Sequence, residues 1–160
     1  MKILASTLTL VTLAGCAAYS GYGLRPGTST ESDVLHAMGR PALELADRAG
    51  GRELFYPKGP LGPETYVAHV DSGGVLKGID QVLDDDHFRR IREGETKDDV
   101  LRTIGPPGDS MRFGSGNYAW IYRFQDTWGY PSDFNVTFNP AGIVVAKIAI
   151  RVEHDRESGR

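Results

Sequence analysis

The chain repeats one segment of its own sequence, and this internal repeat constrains its fold more than any other feature. The segment "LRPGTSTESDVLHAMGRP" (24–41) corresponds to "IREGETKDDVLRTIGPP" (91–107), with one extra residue in the first copy. Downstream, "GGRELFY" (50–56) corresponds to "GNYAWIY" (116–122), and "TYVAHVDSGGVL" (65–76) to "DFNVTFNPAGIV" (133–144). Gly39 and Gly105 are 66 positions apart. The sequence therefore predicts two copies of one supersecondary unit, at residues 24–83 and 84–153, followed by a polar tail at 154–160.

Each copy is predicted to open with a short helix whose beginning and end are both specified. A threonine at the N-cap position is followed three residues later by an aspartate, a spacing that allows a reciprocal capping box. A glycine suited to the left-handed conformation follows the apolar stripe, and a proline comes soon after it. These residues are Thr30, Asp33, Gly39 and Pro41 in the first copy, and Thr96, Asp99, Gly105 and Pro107 in the second. Residues 84–91 are predicted to add a preceding helical turn in the second copy.

The rest of each copy has the pattern of antiparallel strands. In "NYAWIYRF" (117–124) every second residue is aromatic, and in "DFNVTF" (133–138) apolar residues alternate with polar ones. This period of two is typical of half-buried strands. First strands are predicted in "ALELADR" (42–48) and "DSMRF" (109–113), and "IVVAKIAIRV" (143–152) is the longest β-rich run. The predicted class is α+β: two tandem repeats, each a short helix (or helix pair) packed on a three- to four-stranded antiparallel meander sheet, with the helices on one face.

The N-terminus has the features of a secretory signal peptide at residues 1–15. In "MKILASTLTLVTLAGC" one lysine precedes an uncharged, mostly apolar run that is too short to span a membrane. The segment "LAGC" (13–16) resembles the bacterial lipobox, and this resemblance implies a lipid on Cys16 that anchors the chain firmly to a membrane through a tether at 16–23. Ala17 favours the outer membrane under the sorting rule of that class of lipoprotein. A plain signal peptide with a chance cysteine is the alternative interpretation.

Composition and motif spacing argue against a nucleic-acid partner and against a metal site. The formal net charge is -3, and no dense basic stretch exists to contact phosphates. Cys16 is the only cysteine, so no internal disulfide is expected. The consecutive acids of "LDDDHFRR" (83–90) lack the alternating ligands of a calcium loop, and no histidine pair has zinc-binding spacing. We expect no metal and no cofactor.

The sequence also lacks a recognisable catalytic motif. Asp98 and Asp99 are adjacent, so on a helix they point about 100° apart and cannot share a proton. At the start of a helix their charges are favourable with the macrodipole. There is no G-x-S-x-G nucleophile elbow. The chain is therefore predicted not to be an enzyme.

Four aromatic residues of the second copy are candidates for contact with a protein partner. Trp120 and Tyr122 lie on a predicted strand, where packing in the core is the alternative interpretation. Trp128 and Tyr130 lie in the loop-like segment "QDTWGYPSD" (125–133), and exposed aromatics on loops are typical anchors for proteins. The first copy has "KGPLGPE" (58–64) there, without aromatics.

The order of these elements resembles a known family. The pattern Gly-x-Thr-x-x-x-Val-x-x-x-hydrophobic-Gly-x-Pro, followed by an aromatic strand and a strand that ends at a glycine turn, is similar to the SmpA/OmlA domain of the BamE outer-membrane lipoproteins. The residues that carry it are Gly94, Thr96, Val100, Ile104, Gly105, Pro107, Trp120 and Tyr122 in the second copy, and Gly27, Val34, Met38, Gly39 and Pro41 in the first. The tandem arrangement is also similar to the repeats of the β-lactamase inhibitor proteins, which, unlike this chain, carry disulfides.

The resemblance implies a lipoprotein of the outer membrane that faces the periplasm and binds a protein there. It favours a binding or scaffold module in envelope integrity or outer-membrane protein assembly. Two other hypotheses stay open. One is an inhibitor-like binder of a periplasmic enzyme such as a β-lactamase or another hydrolase. The other is a binder of peptidoglycan or of a small ligand in the groove between the repeats.

Overall fold

A computed structural model describes residues 20–59 and 62–152 of the chain. The predicted signal peptide, Cys16 and the predicted polar tail lie outside the described residues. In chain order the elements are α1 (Glu31–Met38), β1 (Leu43–Ala46), β2 (Arg52–Pro57), β3 (Thr65–Val70), β4 (Leu76–Gln81), α2 (Asp85–Arg90), α3 (Lys97–Ile104), β5 (Asp109–Arg112), β6 (Tyr118–Gln125), β7 (Pro131–Phe138) and β8 (Val144–Arg151).

The strands form two four-stranded antiparallel meanders, each preceded by short helices. The first sheet has the order β1-β2-β3-β4 and the second has the order β5-β6-β7-β8. One helix precedes the first sheet, and two precede the second. The predicted α+β class is confirmed, and the arrangement is consistent with tandem repeats.

Both repeat helices begin at the predicted capping boxes. The hydroxyl of Thr30 accepts a hydrogen bond from Asp33 N at 3.3 Å, and Asp33 accepts one from Thr30 N at 2.8 Å. Thr96 and Asp99 form the same pair of bonds at 3.3 and 2.9 Å. The bonds from the backbone and hydroxyl of Thr30 lower the pKa of Asp33, and those from the hydroxyl and backbone of Thr96 lower that of Asp99. These charged caps fix the first turn of each helix.

Five hairpins among the described residues close with one and the same turn. In each, the N–H of the first residue donates to the carbonyl of the fifth, and the N–H of the fourth donates to the carbonyl of the first. The fourth residue is always a glycine, with φ between 77° and 88°, because this left-handed position strains other residues. The turns span residues 47–51, 71–75, 113–117, 126–130 and 139–143.

Each sheet packs one face against the helices that precede it. In the first unit, Val34 and Met38 of α1 lie in a cluster with buried residues of the sheet such as Leu54 and Leu76. In the second unit, the ring of Phe88 from α2 stacks on that of Phe134 from β7, with centroids 4.0 Å apart. The two clusters form the main cores of the protein.

The first sheet is covered on its second face as well, which the sequence-based prediction of helices on one face did not include. Phe55 points to the face opposite α1, and it is fully buried in a cluster with Val67 and Val82. A Cβ placed on Gly105, at the end of α3, would lie 2.7 Å from Phe55 Cδ1. Arg102 Nη1 of α3 donates to the carbonyl oxygen of Ala46 at 2.9 Å. The end of the second repeat helix therefore packs on the first sheet.

Candidate functional site

The four aromatic candidates are divided between the core and the surface. Tyr122 is 1% exposed, and its hydroxyl donates to the carbonyl oxygen of Gly105 at 3.1 Å. Burial raises the pKa of Tyr122 well above its usual value. Trp120 is half-buried, and its ring lies edge-on to that of Phe138 with centroids 4.8 Å apart. The contact role predicted for Tyr122 does not fit this burial, because a core side chain has no surface to offer a partner.

Trp128 and Tyr130 instead lie at the tip of the hairpin between β6 and β7. Trp128 is 78% exposed and Tyr130 is 53% exposed. The connecting segment is shorter than the sequence suggested, since β7 begins at Pro131 and the turn spans only residues 126–130. These two residues therefore form the candidate site, which we call the aromatic turn.

The aromatic turn is held by the side chain of Asp126. Its Oδ1 accepts hydrogen bonds from the backbone N–H groups of Trp128 and Tyr130, both at 2.9 Å. Its Oδ2 accepts bonds from Arg151 Nε at 3.1 Å and Nη2 at 2.6 Å. The guanidinium of Arg151 also lies 4.3 Å from the centroid of the Tyr130 ring, a cation–π contact. The backbone that carries Trp128 is thus ordered before any partner arrives.

Two other turns of the protein show that the fold does not require Trp128. Asp71 and Asn139 begin turns of the same backbone geometry, and their Oδ1 atoms accept the same two N–H bonds from the third and fifth residues. The third residue of those turns is Gly73 in one and Ala141 in the other. The turn therefore forms with glycine or alanine at this position and does not need a large aromatic side chain.

The ionisation of Asp126 should make the aromatic turn sensitive to acid. Burial alone would raise the pKa of Asp126, but bonds from Tyr130 N, Arg151 and Trp128 N lower it below its usual value. A lowered folded-state pKa contributes stability above the unfolded-state pKa of about 3.9, and that stability is lost as pH falls through the folded value. Asn139 shows that asparagine can supply the same backbone bonds.

We therefore expect D126N to keep the turn and to lose the Arg151 ion pair together with its pH dependence. The free energy of unfolding of the wild type should exceed that of D126N near neutral pH, and the difference should vanish in acid. Denaturant unfolding of both proteins between about pH 7 and about pH 2 measures this difference. A difference that stays constant over that range would contradict the assignment.

A cavity of about 270 Å³ lies where the two units meet. Its lining is mainly apolar, and Arg123 is the charged residue among the described residues that line it. Arg123 is itself paired with Asp133 on the neighbouring strand. The cavity offers few polar groups for a sugar or a small polar ligand. The other lining residues are Ala42, Pro57, Gly59, Gly62, Thr65, Leu83, Pro106, Pro107, Gly108 and Tyr122.

The acidic segment 83–90 has a structural role. Asp84 is the N-cap of α2, and its Oδ1 accepts a bond from His87 N at 2.9 Å and contacts the His87 ring at 2.8 Å. Within residues 20–59 and 62–152, no three His, Cys, Asp or Glu side chains are grouped as metal ligands would be. The same part of the chain contains no helix with the length and apolarity needed to span a membrane.

One set of exposed apolar residues was not identified from the sequence. Strand β8 exposes Val145, Ile148 and Ile150 at the edge of the second sheet. The segment 143–152 was recognised as the longest β-rich run, but which strands lie at an edge depends on the order of strands in the sheet. A comparison with the matching strand of the first copy, which carries charges, would have indicated the difference.

Comparisons with known proteins give only distant structural similarities. No family model matches the chain, and no curated protein matches it. An osmotically inducible lipoprotein, OsmE, is 21% identical over 44% of this chain and 68% of its own, with a TM-score of 0.35. YjgB, a DUF4309 family protein from Bacillus subtilis subsp. subtilis str. 168, is 16% identical over 82% of this chain and 84% of its own, with a TM-score of 0.32.

A third similar structure is an extracellular protein containing an SCP domain from Bacillus anthracis str. Ames. It is 11% identical over 93% of this chain and 50% of its own, with a TM-score of 0.31. The chain is thus remotely similar to a lipoprotein and to an extracellular protein, and similarities at this level do not identify a ligand or a partner.

Proposed function

We propose that this chain is a non-enzymatic binding module of the bacterial outer membrane that engages a protein partner through the aromatic turn. The observation that carries the proposal is the 78% exposure of Trp128 on a turn that Asp126 holds by hydrogen bonds without it. Tryptophan and tyrosine are the residues most enriched among those that dominate protein–protein binding energy. A surface that is ordered beforehand loses less conformational entropy when it binds.

The surroundings of the aromatic turn also suit a protein partner. The charges of Asp126 and Arg151 compensate each other at its base, so the tip presents aromatic surface with a polar rim. No described group near the tip resembles a nucleophile with its base, which supports a binding role over a catalytic one.

We infer the anchor from the N-terminal sequence. A lipid on Cys16 would place the first helix only about fifteen residues from the membrane surface, since α1 begins at Glu31. The module would then face the periplasm and bind partners close to the outer membrane. Support of envelope integrity or of outer-membrane protein assembly is the role that we infer from this placement.

A pull-down from detergent-solubilised native membranes tests the proposal. We expect W128A and Y130A to reduce recovery of the partner by about tenfold or more, because loss of a dominant aromatic contact costs about 2 kcal/mol or more of binding energy. The matched control is F113A, since Phe113 is an exposed aromatic that begins another turn of the same geometry. Equal recovery with W128A and with the wild type would contradict a role for the aromatic turn.

The identity of the recovered protein distinguishes the proposed role from its alternative. Components of outer-membrane protein assembly or envelope maintenance would support the proposal. Recovery of a hydrolase that the purified chain inhibits would instead favour the inhibitor hypothesis.

A further inference from the structure

Strand β8 forms one edge of the second sheet, and that edge is open from Val145 to Arg151. At the start of the strand, Val144 N donates to the carbonyl oxygen of Glu95 and Val144 O accepts from Gly94 N. Strand β8 pairs with β7 and with no other strand among the described residues. Seven of its eight residues are exposed, including Ile148 at 56% and Ile150 at 49%. An edge strand of this length presents a row of free N–H and C=O groups, which is a template for pairing with another strand.

The matching strand of the first unit is protected, whereas β8 is not. Asp80 of β4 pairs with Val67, and Ile148 of β8 pairs with Asn135. Val67 and Asn135 correspond in the repeat, so Asp80 and Ile148 occupy the same position in their two sheets. Charged side chains on an edge strand discourage pairing with other chains. Strand β4 has Lys77, Asp80 and Gln81 at the positions where β8 has Val145, Ile148 and Ala149.

The lysine of β8 does not replace that protection. Lys147 Nζ donates to the carbonyl oxygens of Phe88, at 2.8 Å, and of Ile91, at the end of α2. Its charge is therefore engaged with the carbonyls of its own chain on the helix side of the sheet. Between Val145 and Ile150 no other charged side chain is present to discourage pairing at this edge.

The backbone pairing shows which groups of β8 point outward. Val152 N donates to the carbonyl oxygen of Pro131 at 2.9 Å. Hydrogen-bonded and non-hydrogen-bonded pairs alternate along an antiparallel ladder, so the backbone groups of Ile148 and Ile150 point to β7. Those of Lys147 and Ala149 point away from the sheet, and they are available to a second strand.

We propose that β8 pairs with β8 of a second copy of this chain, antiparallel and about a two-fold axis at Ile148. The two sheets then form one continuous sheet of eight strands. The Ile148 side chains of the two copies meet in a non-hydrogen-bonded pair, the closer of the two kinds, and Ile150 lies opposite Ala146. Lys147 of each copy exchanges backbone hydrogen bonds with Ala149 of the other.

The charges of β8 favour this register over the two neighbouring ones. An axis at Ala149 would place Lys147 opposite Arg151, and an axis at Lys147 would place two lysines opposite each other. Like charges directly opposite destabilise a strand pair. An axis at Ile148 leaves every charged residue of β8 opposite an uncharged one and buries the exposed isoleucines together. A second copy thus fits this edge about an axis at Ile148 without charge repulsion.

Sedimentation of the full-length chain in detergent tests the proposal. We expect a species with the mass of two chains, which dissociates into single chains on dilution. I148D, which introduces the residue found at the matching position of β4, should weaken the association by about tenfold or more. M111D is the matched control, since Met111 is 49% exposed on β5 at the other edge of the same sheet, and this variant should associate like the wild type.

A149P tests the backbone pairing without altering the apolar side chains. The N–H that proline removes points away from β7, so the sheet keeps its own ladder while the outer edge loses a donor. We expect this variant to be folded by circular dichroism and monomeric.

A disulfide tests the register. Under oxidising conditions I148C should form a disulfide between copies, because directly opposed residues of a non-hydrogen-bonded pair lie within bridging distance, whereas M111C should not.

A wild-type chain that remains monomeric at every accessible concentration would overturn the proposal, and so would a dimer unaffected by both I148D and A149P. In the first case an extended segment of another protein becomes the candidate occupant. W128A should associate like the wild type, so a failure here is distinguishable from a failure of the proposed function.

Discussion

Alanine in place of Gly105 is expected to destabilise the protein by about 1–3 kcal/mol more than alanine in place of Gly39. The two glycines occupy the same position in the repeat, with φ of 76° and 82°. The conformational strain of a side chain there, about 1–3 kcal/mol, is therefore common to both variants. At Gly105 the added Cβ would also lie 2.7 Å from Phe55 and 3.3 Å from Thr65, whereas at Gly39 it meets nothing within 4 Å.

Chemical denaturation of the two full-length variants beside the wild type measures this difference. The additional loss in G105A comes from displacement of a fully buried ring in the first sheet, so it reports directly on packing between the units. Equal losses in the two variants would show that the end of α3 does not pack tightly on Phe55.

Alanine in place of Tyr122 is expected to cost about 3–5 kcal/mol of stability, as truncation of a buried aromatic side chain does. Tyr122 is 1% exposed and lies in the core of the second unit. Alanine in place of Trp128 should change stability by less than about 0.5 kcal/mol, because the ring is exposed and the turn is held by Asp126. Two aromatic residues six positions apart thus have opposite roles.

Thermal and denaturant unfolding of Y122A and W128A, with binding measured on the same preparations, separates these roles. Y122F is the intermediate case: it keeps the ring, loses the hydrogen bond to Gly105 and should cost about 1 kcal/mol. A large loss of stability in W128A would mean that its ring packs in the fold, and the binding proposal would lose its main support.

The helices could be predicted from the sequence because their determinants are local. Thr96, Asp99 and Gly105 lie within ten residues of one another, and each acts on the first or last turn of α3 through a bond that the chain makes with itself nearby. The strands could be predicted for a related reason: the period of two along β6 and β7 reports which side chains share a face.

Packing between distant parts of the chain could not be predicted in the same way. Nothing near Gly105 in the sequence indicates that Phe55, fifty positions away, lies against it. The alternation in β6 places Trp120 and Tyr122 on one face, but only Tyr122 is fully buried, where its hydroxyl meets Gly105 at the end of α3. The open edge at β8 depends on strand order, which one sequence does not specify.

The shared turn geometry also separates what specifies the fold from what is displayed on it. In each of the five hairpins the first and fourth residues make the same closing backbone bonds, while the side chains of the second and third residues differ from turn to turn. Those variable pairs are Arg48-Ala49, Ser72-Gly73, Gly114-Ser115, Thr127-Trp128 and Pro140-Ala141. An exchange of such pairs between hairpins would move a recognition element around the molecule while the frame stays the same. The protein is in this sense a scaffold with five equivalent turns, one of which displays a tryptophan.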